Sequence, residues 1–358
     1  MRWNRYKTLL GLTVGVCTAA MLTACGSSAD EEGGANSLTL AIASPSWNSG
    51  YATTAVSEAE GYFEDEGLDV KVQLFPSGTQ VAQQVVGGGA DIGMITAEPV
   101  AIGHAKNLGL TYFASYYPRW ISTLEVPAGS DVDSLEDLPG SRIGVTTVQS
   151  SGGTFARSAM QLNGMNPDEA EYVPIGVGPQ QQDAIESGRV DVLALWDTQY
   201  AIVENEGVDL TTLEVPQSKD IWGGGFAVTK KTLESNPDGL ARFGRAIAKG
   251  FVFSTANPEA AVRDMWKLHP ETRGKGTEEE ALEEQVNVLK VRLEGQGVEA
   301  GRWGGIDKES AQKMVDFMAS TDLIPESFPA TDIYTTDLLD KINDFSFEDI
   351  RAQAKKGS

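Results

Sequence analysis

The chain has 358 residues, room for two domains at about 150 residues each. Hydrophobic residues make up 41% and charged residues 22%, a globular mixture that excludes both a disordered chain and a multi-span membrane protein. The balance of 28 Lys+Arg against 51 Asp+Glu, net −23, leaves no basic face for nucleic acid and predicts repulsion from anionic lipid headgroups. Two Cys cannot build a disulfide-dense scaffold. The two His, His104 and His269, leave little for a zinc site or a His-based triad, and their helix-like surroundings place them on the surface, away from any cleft. No metal site and no cofactor are expected.

Arg2, Arg5 and Lys7 form a positive start, and Leu9 to Leu22 is an apolar run too short to span a bilayer comfortably. The run ends in Leu22-Thr23-Ala24-Cys25, which resembles the bacterial lipobox, where cleavage precedes a Cys that is then lipidated. The alternative is an uncleaved anchor or an ordinary secretory signal. Cleavage would make residues 1–24 a signal peptide, remove Cys17 and leave Cys25 as the single Cys, its sulfur carrying lipid. Loss of the three basic residues and no acids would take the net charge from −23 to −26. Residues 25–36, rich in Gly, Ser, Ala and acid, read as a flexible tether. The protein is thus expected outside the cell, held to the outer face of the membrane through Cys25.

Beyond the tether, Ser37 to Ala43 reads as a buried strand and is followed by the loop Ser44 to Gly50 and a helix to about Glu60. Val70 to Phe75 is a second strand, Thr79 to Val86 a helix, and Asp91 to Ile95 a third strand. This order is that of an open parallel α/β sheet. It recurs as the strand Arg142 to Thr146, a helix from about Gly153 to Leu162, a strand near Tyr172 to Ile175, a helix near Gln180 to Ile185, and the strand Asp191 to Leu195.

The recurrence is partly literal. Gly78-x-Gln80 matches Gly178-x-Gln180, Gly88-x-x-Asp91-Ile92 matches Gly188-x-x-Asp191-Val192, and Ala101 and Ala201 keep the register. The Gly-x-x-Asp pairs themselves are expected to cap a helix and open a strand rather than touch a ligand. Between the halves run two extended stretches, the aromatic Leu110 to Pro127 and Leu213 to Thr229 through Trp222-Gly-Gly-Gly225, which suggest a double hinge. The boundaries expected are 37–125 plus 222–358 for one lobe and 126–221 for the other. The remainder reads as helical: Leu240, Phe243, Ile247 and Phe251 form a stripe, with further helices at Ala260 to Leu268, Glu278 to Leu293, Ser310 to Met318 and within Ile333 to Phe347, before a polar tail from Glu348.

A family resemblance rests on Gly61-Tyr-Phe-Glu-Asp-Glu-Gly-Leu-Asp69, on Gly88 to Asp91, and on Ser134-Leu-Glu-Asp-Leu-Pro-Gly140 leading into Ile143-Gly144-Val145. It continues with Ser187-Gly-Arg-Val-Asp191 leading into Leu195-Trp196-Asp197, and with Ile333-Tyr334 and Ile342-Asn343. In order and spacing these motifs resemble the solute-binding lipoproteins of bacterial ABC importers. The type is that of nitrate, sulfonate and taurine binders, which share their fold with thiamine-pyrimidine precursor binders and fungal thiamine-pyrimidine synthases. The resemblance covers roughly Leu38 to Ala354. It implies a type II periplasmic-binding-protein-like clamshell of two α/β lobes, each an open, mostly parallel sheet flanked by helices, joined by a two-strand hinge. It also implies a monomer that closes on one small solute and delivers it to permease subunits driven by a cytoplasmic ATPase.

In open α/β sheets the ligand sits beyond the carboxyl ends of the strands, where loops open helices. The strongest such loop is Gln149 to Thr154, with Ser150, Ser151, Gly152, Gly153 and Thr154. A helix N-terminus there offers unpaired N–H groups to an anion without any Lys or Arg, although Ser and Thr at such positions also serve as plain caps. Its counterpart carries Ser46, Trp47 and Asn48, with Trp47 a candidate stacking surface. Thr96 and the pair Trp196 and Asp197 end two further strands. Asp197 could accept from an amine or cap its helix, and Trp196 could be core or cleft. Trp120 and Trp222 lie on the hinge stretches, where aromatic walls would suit a flat ring or cationic amine. The Ser/Gly loops favour an anion and the tryptophans a ring with amino groups, so a zwitterion such as taurine or a substituted pyrimidine would use both.

Enzyme motifs are missing: there is no Gly-x-Ser-x-Gly elbow, no P-loop and no His-Glu-x-x-His. Gly295-x-Gly297-x-x-Ala300 has a dinucleotide-like spacing, but no strand precedes it. The fungal synthases on this fold use a Cys-rich motif and an active-site His, whereas this chain has no Cys after Cys25. A non-enzymatic binder is therefore expected, with a tethered signalling receptor or a synthase-like enzyme as the alternatives.

Overall fold

The structure is a computed structural model and describes residues 37–356. The leader, the lipobox and the tether lie outside the described residues. Ten strands appear in chain order: β1 (Ser37–Ala43), β2 (Asp69–Phe75), β3 (Ile92–Thr96), β4 (Leu110–Tyr117), β5 (Ser122–Pro127), β6 (Arg142–Val145), β7 (Glu171–Pro174), β8 (Val192–Trp196), β9 (Leu210–Leu213) and β10 (Gly224–Thr229). They form two five-stranded sheets, β2-β1-β3-β10-β4 and β7-β6-β8-β5-β9.

The two orders are the same plan used twice. The first three strands of each half pair in parallel, β1 with β2 and β3, β6 with β7 and β8. Each sheet then receives one strand running the other way, inserted beside the third: β10 against β3, and β5 against β8. The last strand pairs antiparallel with that insert. Four of the five strands in each sheet therefore share one direction.

The matched Gly-x-x-Asp turns do the structural work expected of them. Gly88 and Gly188 both hold the left-handed conformation, at φ 75° and 65°. Asp91 accepts from the Thr39 backbone N–H of β1 at 2.8 Å, and Asp191 from the Arg142 backbone N–H of β6 at 2.8 Å. Each aspartate thus ties the third strand of its half to the start of the first.

The chain passes between sheets twice, at 118–121 and 214–223. The passages are joined to each other, Trp120 N–H donating to Ile221 O at 2.7 Å and Gly223 N–H to Tyr117 O at 3.1 Å. All of β5 belongs to the second sheet, so the first passage ends before Ser122 and not after residue 125. Apolar and aromatic residues recur on both sides of Pro118-Arg119, so strand-to-strand pairing is what marks the change of sheet.

Helices cover both sheets: α1 (Ala52–Ala59), α2 (Tyr62–Asp65), α3 (Gly78–Gly87), α4 (Ala97–Ala105), α5 (Ser151–Leu162), α6 (Pro179–Glu186), α7 (Asp197–Asn205), α8 (Lys230–Ser235), α9 (Pro237–Ala256), α10 (Pro258–Leu268), α11 (Glu278–Leu293), α12 (Lys308–Ser320), α13 (Leu339–Ile342) and α14 (Phe347–Ala354). In α9, Asn236 caps the Gly239 N–H at 3.1 Å and Pro237 opens the first turn. Its stripe Leu240, Phe243, Ile247 and Phe251 is fully buried against the first sheet, with Phe243 edge-on to Phe226 of β10 at 5.3 Å. Thr277 and Glu280 form a reciprocal capping box at the start of α11. The stretch from Glu348, read as a polar tail, is instead mostly α14. Ile350 and Ala354 are one turn apart and both buried, and Asn257 holds the Ala354 carbonyl at 2.9 Å.

Candidate functional site

Four helices begin where parallel strands end, and their caps face one another. Ser77 caps α3, Thr96 caps α4, Ser150 caps α5 and Trp196 precedes α7. The first two belong to the first sheet and the last two to the second. All four line one narrow chamber of about 30 Å³ between the sheets, walled also by Ala43, Tyr51, Pro76, Tyr117 and Ile121. Each helix start carries partial positive charge from unpaired N–H groups. A second compartment of about 40 Å³ adjoins it, sharing Gly78, Thr96 and Ser151 and adding Thr79, Glu98, Gln149 and Thr154.

The Gln149 to Thr154 loop is built as close backbone approach. A Cβ on Gly152 would stand 2.0 Å from the Ala194 carbonyl oxygen of β8, so only glycine lets the start of α5 lie on that strand. Ser150 Oγ accepts from the Gly153 N–H at 3.4 Å, the plain cap that such a serine also suggests. Ser151 Oγ instead reaches across to Glu98 Oε1 of α4 at 2.7 Å and lies 3.0 Å from Ser122 Oγ.

The expected site residues divide sharply. Thr96, Ser150, Ser151 and Trp196 reach the chamber wall, and Thr154 the adjoining compartment. Trp196 is 7% exposed, and its indole N–H has no partner. Gly152 and Gly153 act through the backbone of α5. Asp197 is ion-paired: Arg292 of α11 donates to its Oδ1 at 2.8 Å, which also accepts from the Thr198 N–H at 2.8 Å. Burial pushes the Asp197 carboxyl above its ordinary range, against the pull of that guanidinium.

Three tryptophans and their neighbours fall elsewhere. Trp222 is 1% exposed, donates to Ser115 Oγ at 2.9 Å and packs edge-on to Tyr112, which makes it core. Trp120 packs between Phe155 and Phe317 at 6.0 and 5.8 Å. Trp47 and Asn48 line a separate groove with Ile202, Asn205 and Gln285, and Asn48 spends its side-chain oxygen on the Gly50 N–H. Ser46 contributes its carbonyl to Ser44 Oγ at 2.7 Å. Extended aromatic stretches look alike in sequence whether they wall a cleft or fill a hinge; long-range packing separates the two.

The histidines are also not simple surface residues. His269 follows α10, is partly buried and stacks on Trp47 at 4.1 Å, so it does touch the first strand-end loop. Burial holds its pKa below the ordinary value. His104 sits in the last turn of α4 with its ring 4.1 Å from that of Phe328. Both rings cover apolar neighbours that come from distant segments.

Residues missed from the sequence include Tyr51, Tyr117, Ser77, Glu98 and Arg292. Tyr117 belongs to the aromatic stretch already noted, and Ser77 precedes the repeated Gly78-x-Gln80. Glu98 and Arg292 carry no local signal, since an acid in a first turn and a base in a last turn are ordinary surface choices. Arg292 is nonetheless 2% exposed, with its guanidinium 4.8 Å from the Tyr117 ring.

Two α/β units of one topology, joined by two short passages and enclosing a chamber at their strand ends, make the clamshell fold of periplasmic binding proteins. Residues 48–261 match the NMT1/THI5 like family, and the chain belongs to it. It is 22% identical over 288 residues to the formylaminopyrimidine-binding protein of Halalkalibacterium halodurans, covering 78% of this chain and 84% of that one. It is also 22% identical over 232 residues to the riboflavin-binding protein RibY of Chloroflexus aurantiacus, covering 62% and 64%. Among solved structures, the periplasmic aliphatic sulphonate binding protein SsuA from Escherichia coli superposes with a TM-score of 0.61 at 16% identity, covering 83% of this chain and 91% of that one.

Proposed function

We propose that this protein is the extracytoplasmic solute-binding component of an ABC importer. It takes one small organic solute between its lobes and presents the closed form to permease subunits. The observation that carries the reading is the convergence of Ser77, Thr96, Ser150 and Trp196, two from each sheet, on one chamber. A solute there touches both lobes at once, so binding favours the closed state by its differential contacts. The two relatives named for binding a formylaminopyrimidine and riboflavin support a non-catalytic role and a heterocyclic solute.

The lobes run 37–121 with 222–356, and 122–221. The lipobox supports export, cleavage before Cys25 and anchoring of a monomer by lipid on that residue. The acidic surface serves solubility outside the cell.

A thermal-shift screen of the soluble domain tests the reading, with formylaminopyrimidine, hydroxymethylpyrimidine, thiamine, riboflavin, taurine, alkanesulfonates and nitrate. A ligand at about 100 times its Kd adds about 2.7 kcal/mol, a Tm rise of a few degrees at this size. A saturable shift with one class is expected; no shift with any class would count against a solute-binding role. Separately, Cys25→Ala should release the protein from the membrane fraction; continued membrane association would remove the lipid anchor.

A further inference from the structure

Glu98 is a buried acid with no ion-pair partner among the described residues. It lies in the first turn of α4, is 4% exposed, and its Oε1 accepts from Ser151 Oγ across the cleft at 2.7 Å. Its Oε2 is buried with no hydrogen-bond partner among the described residues, and none of the ion pairs among them includes Glu98. The side chain lines the compartment with Gly78, Thr79, Pro99, Gln149 and Thr154.

Ser151 Oγ lies 2.7 Å from Glu98 Oε1 and 3.0 Å from Ser122 Oγ, where either hydroxyl can donate. Toward an ionised Glu98, Ser151 is the donor and accepts in turn from Ser122. The start of α4 adds the positive end of its backbone dipoles. Burial opposes this and raises the pKa of Glu98, which is the cost of a carboxylate held without a counter-charge. The Thr96 hydroxyl and the Glu98 backbone N–H also favour the charged form, yet no group among the described residues donates to Oε2 at hydrogen-bond geometry.

We propose that Glu98, in the compartment that adjoins the chamber, is the specificity-determining residue of the site, selecting a solute whose head carries N–H donors or positive charge and rejecting sulfonate- and nitrate-like anions. The inference rests on the solute-binding reading and names the class of solute. The head enters the compartment and donates to Oε2. The indole N–H of Trp196, on the chamber wall and without a partner among the described residues, asks for an acceptor on the same solute. An anion in the compartment would meet a carboxylate, or else require Glu98 to keep a proton that grows costlier as pH rises.

The experiment measures affinities of wild type and Glu98→Gln at pH 8 for two sets of probes. One set is benzamidine, cytosine and formylaminopyrimidine; the other is benzenesulfonate, ethanesulfonate and nitrate. Glu98→Gln keeps an oxygen for Ser151 and replaces the charge at Oε2. In wild type at least one N–H probe should bind about tenfold or more tighter than every anion. Glu98→Gln should lower that affinity about tenfold or more while anion affinity holds or rises, a reversal that a merely structural role would not produce. If Glu98→Gln does not fold, Glu98→Asp serves: it should keep the order of preference with weaker binding. Anions binding wild type as tightly as the N–H probes, or Glu98→Gln leaving N–H affinity unchanged, would overturn the assignment and leave solute binding intact. Failure of every probe at 10 mM (about 10⁴ times a micromolar Kd) would overturn both.

Discussion

Arg292 on α11 donates to Asp197 on α7 at 2.8 Å, the guanidinium buried and the carboxylate 16% exposed, where the first-sheet and second-sheet halves of the molecule meet. Asn205 reinforces the same seam by donating to the Glu284 carbonyl at 2.9 Å, and Arg119 pairs with Glu294 at its edge. The closed arrangement is therefore held partly by the protein itself.

Breaking that pair from one side strands a buried charge. Arg292→Met is expected to cost about 3–5 kcal/mol, and the double variant Arg292→Met/Asp197→Leu to recover most of it. Urea denaturation of the three proteins checks this. Equal stability of the single variant and wild type would show that the pair is open to solvent in solution.

The tryptophans should separate by role. Trp196→Phe loses buried ring volume and an indole N–H that has no partner among the described residues, so it should cost about 1 kcal/mol while solute affinity falls about tenfold. Trp222→Phe loses the bond to Ser115 Oγ and core volume, costing about 2 kcal/mol with solute affinity kept. Calorimetric titration beside thermal melts reads both, and the opposite pattern would exchange their assignments.

Gly152→Ala tests the seat of α5. The added methyl meets the Ala194 carbonyl oxygen, which cannot move without breaking β8. A loss of about 3 kcal/mol is expected, together with loss of solute binding. Gly88→Ala, in open space but with positive φ, should cost about 1 kcal/mol and spare binding. Unchanged melting of Gly152→Ala would contradict the close approach.

Glu125 on β5 gives the fold a pH dependence. Burial pushes its carboxyl up to about 7, with Glu204 adding repulsion and a hydrogen bond from Thr123 at 3.0 Å opposing. The folded chain thus holds this proton where the unfolded chain has released it. Stability contributed by the group is complete below the ordinary carboxylate range and falls as pH rises toward 7, by about 3 kcal/mol at most. Glu125→Gln should melt higher than wild type at pH 8 and close to it at pH 4. A constant difference across that range would exclude Glu125 as the cause.

Much of the fold was legible from local pattern. The two matching halves were readable because Gly88 and Gly188, Asp91 and Asp191 each satisfy a local backbone need that recurs with the strand–helix unit. Three of the four strand-end loops at the chamber were readable too, those at Thr96, Ser150 and Trp196, since a strand followed at once by a cap and a helix announces where a sheet ends; Ser77 was passed over for the loop of Ser46 to Asn48, whose Trp47 and Asn48 line a separate groove. The helix Glu278 to Leu293 appeared with the expected bounds because Thr277 and Glu280 cap it reciprocally.

Side-chain destinations were not legible. Trp47, Trp120, Trp196 and Trp222 look equivalent in the chain, yet only Trp196 faces the chamber. Glu98 and Arg292 look like ordinary helix-end charges, yet both are buried. The sequence by itself determined the repeated α/β plan, because periodicity and caps are properties of neighbouring residues. Only the tertiary structure decided which polar atoms lost water and which found partners. Desolvation and pairing depend on segments far apart: Ser151 meeting Glu98 across 53 positions, and Arg292 meeting Asp197 across 95.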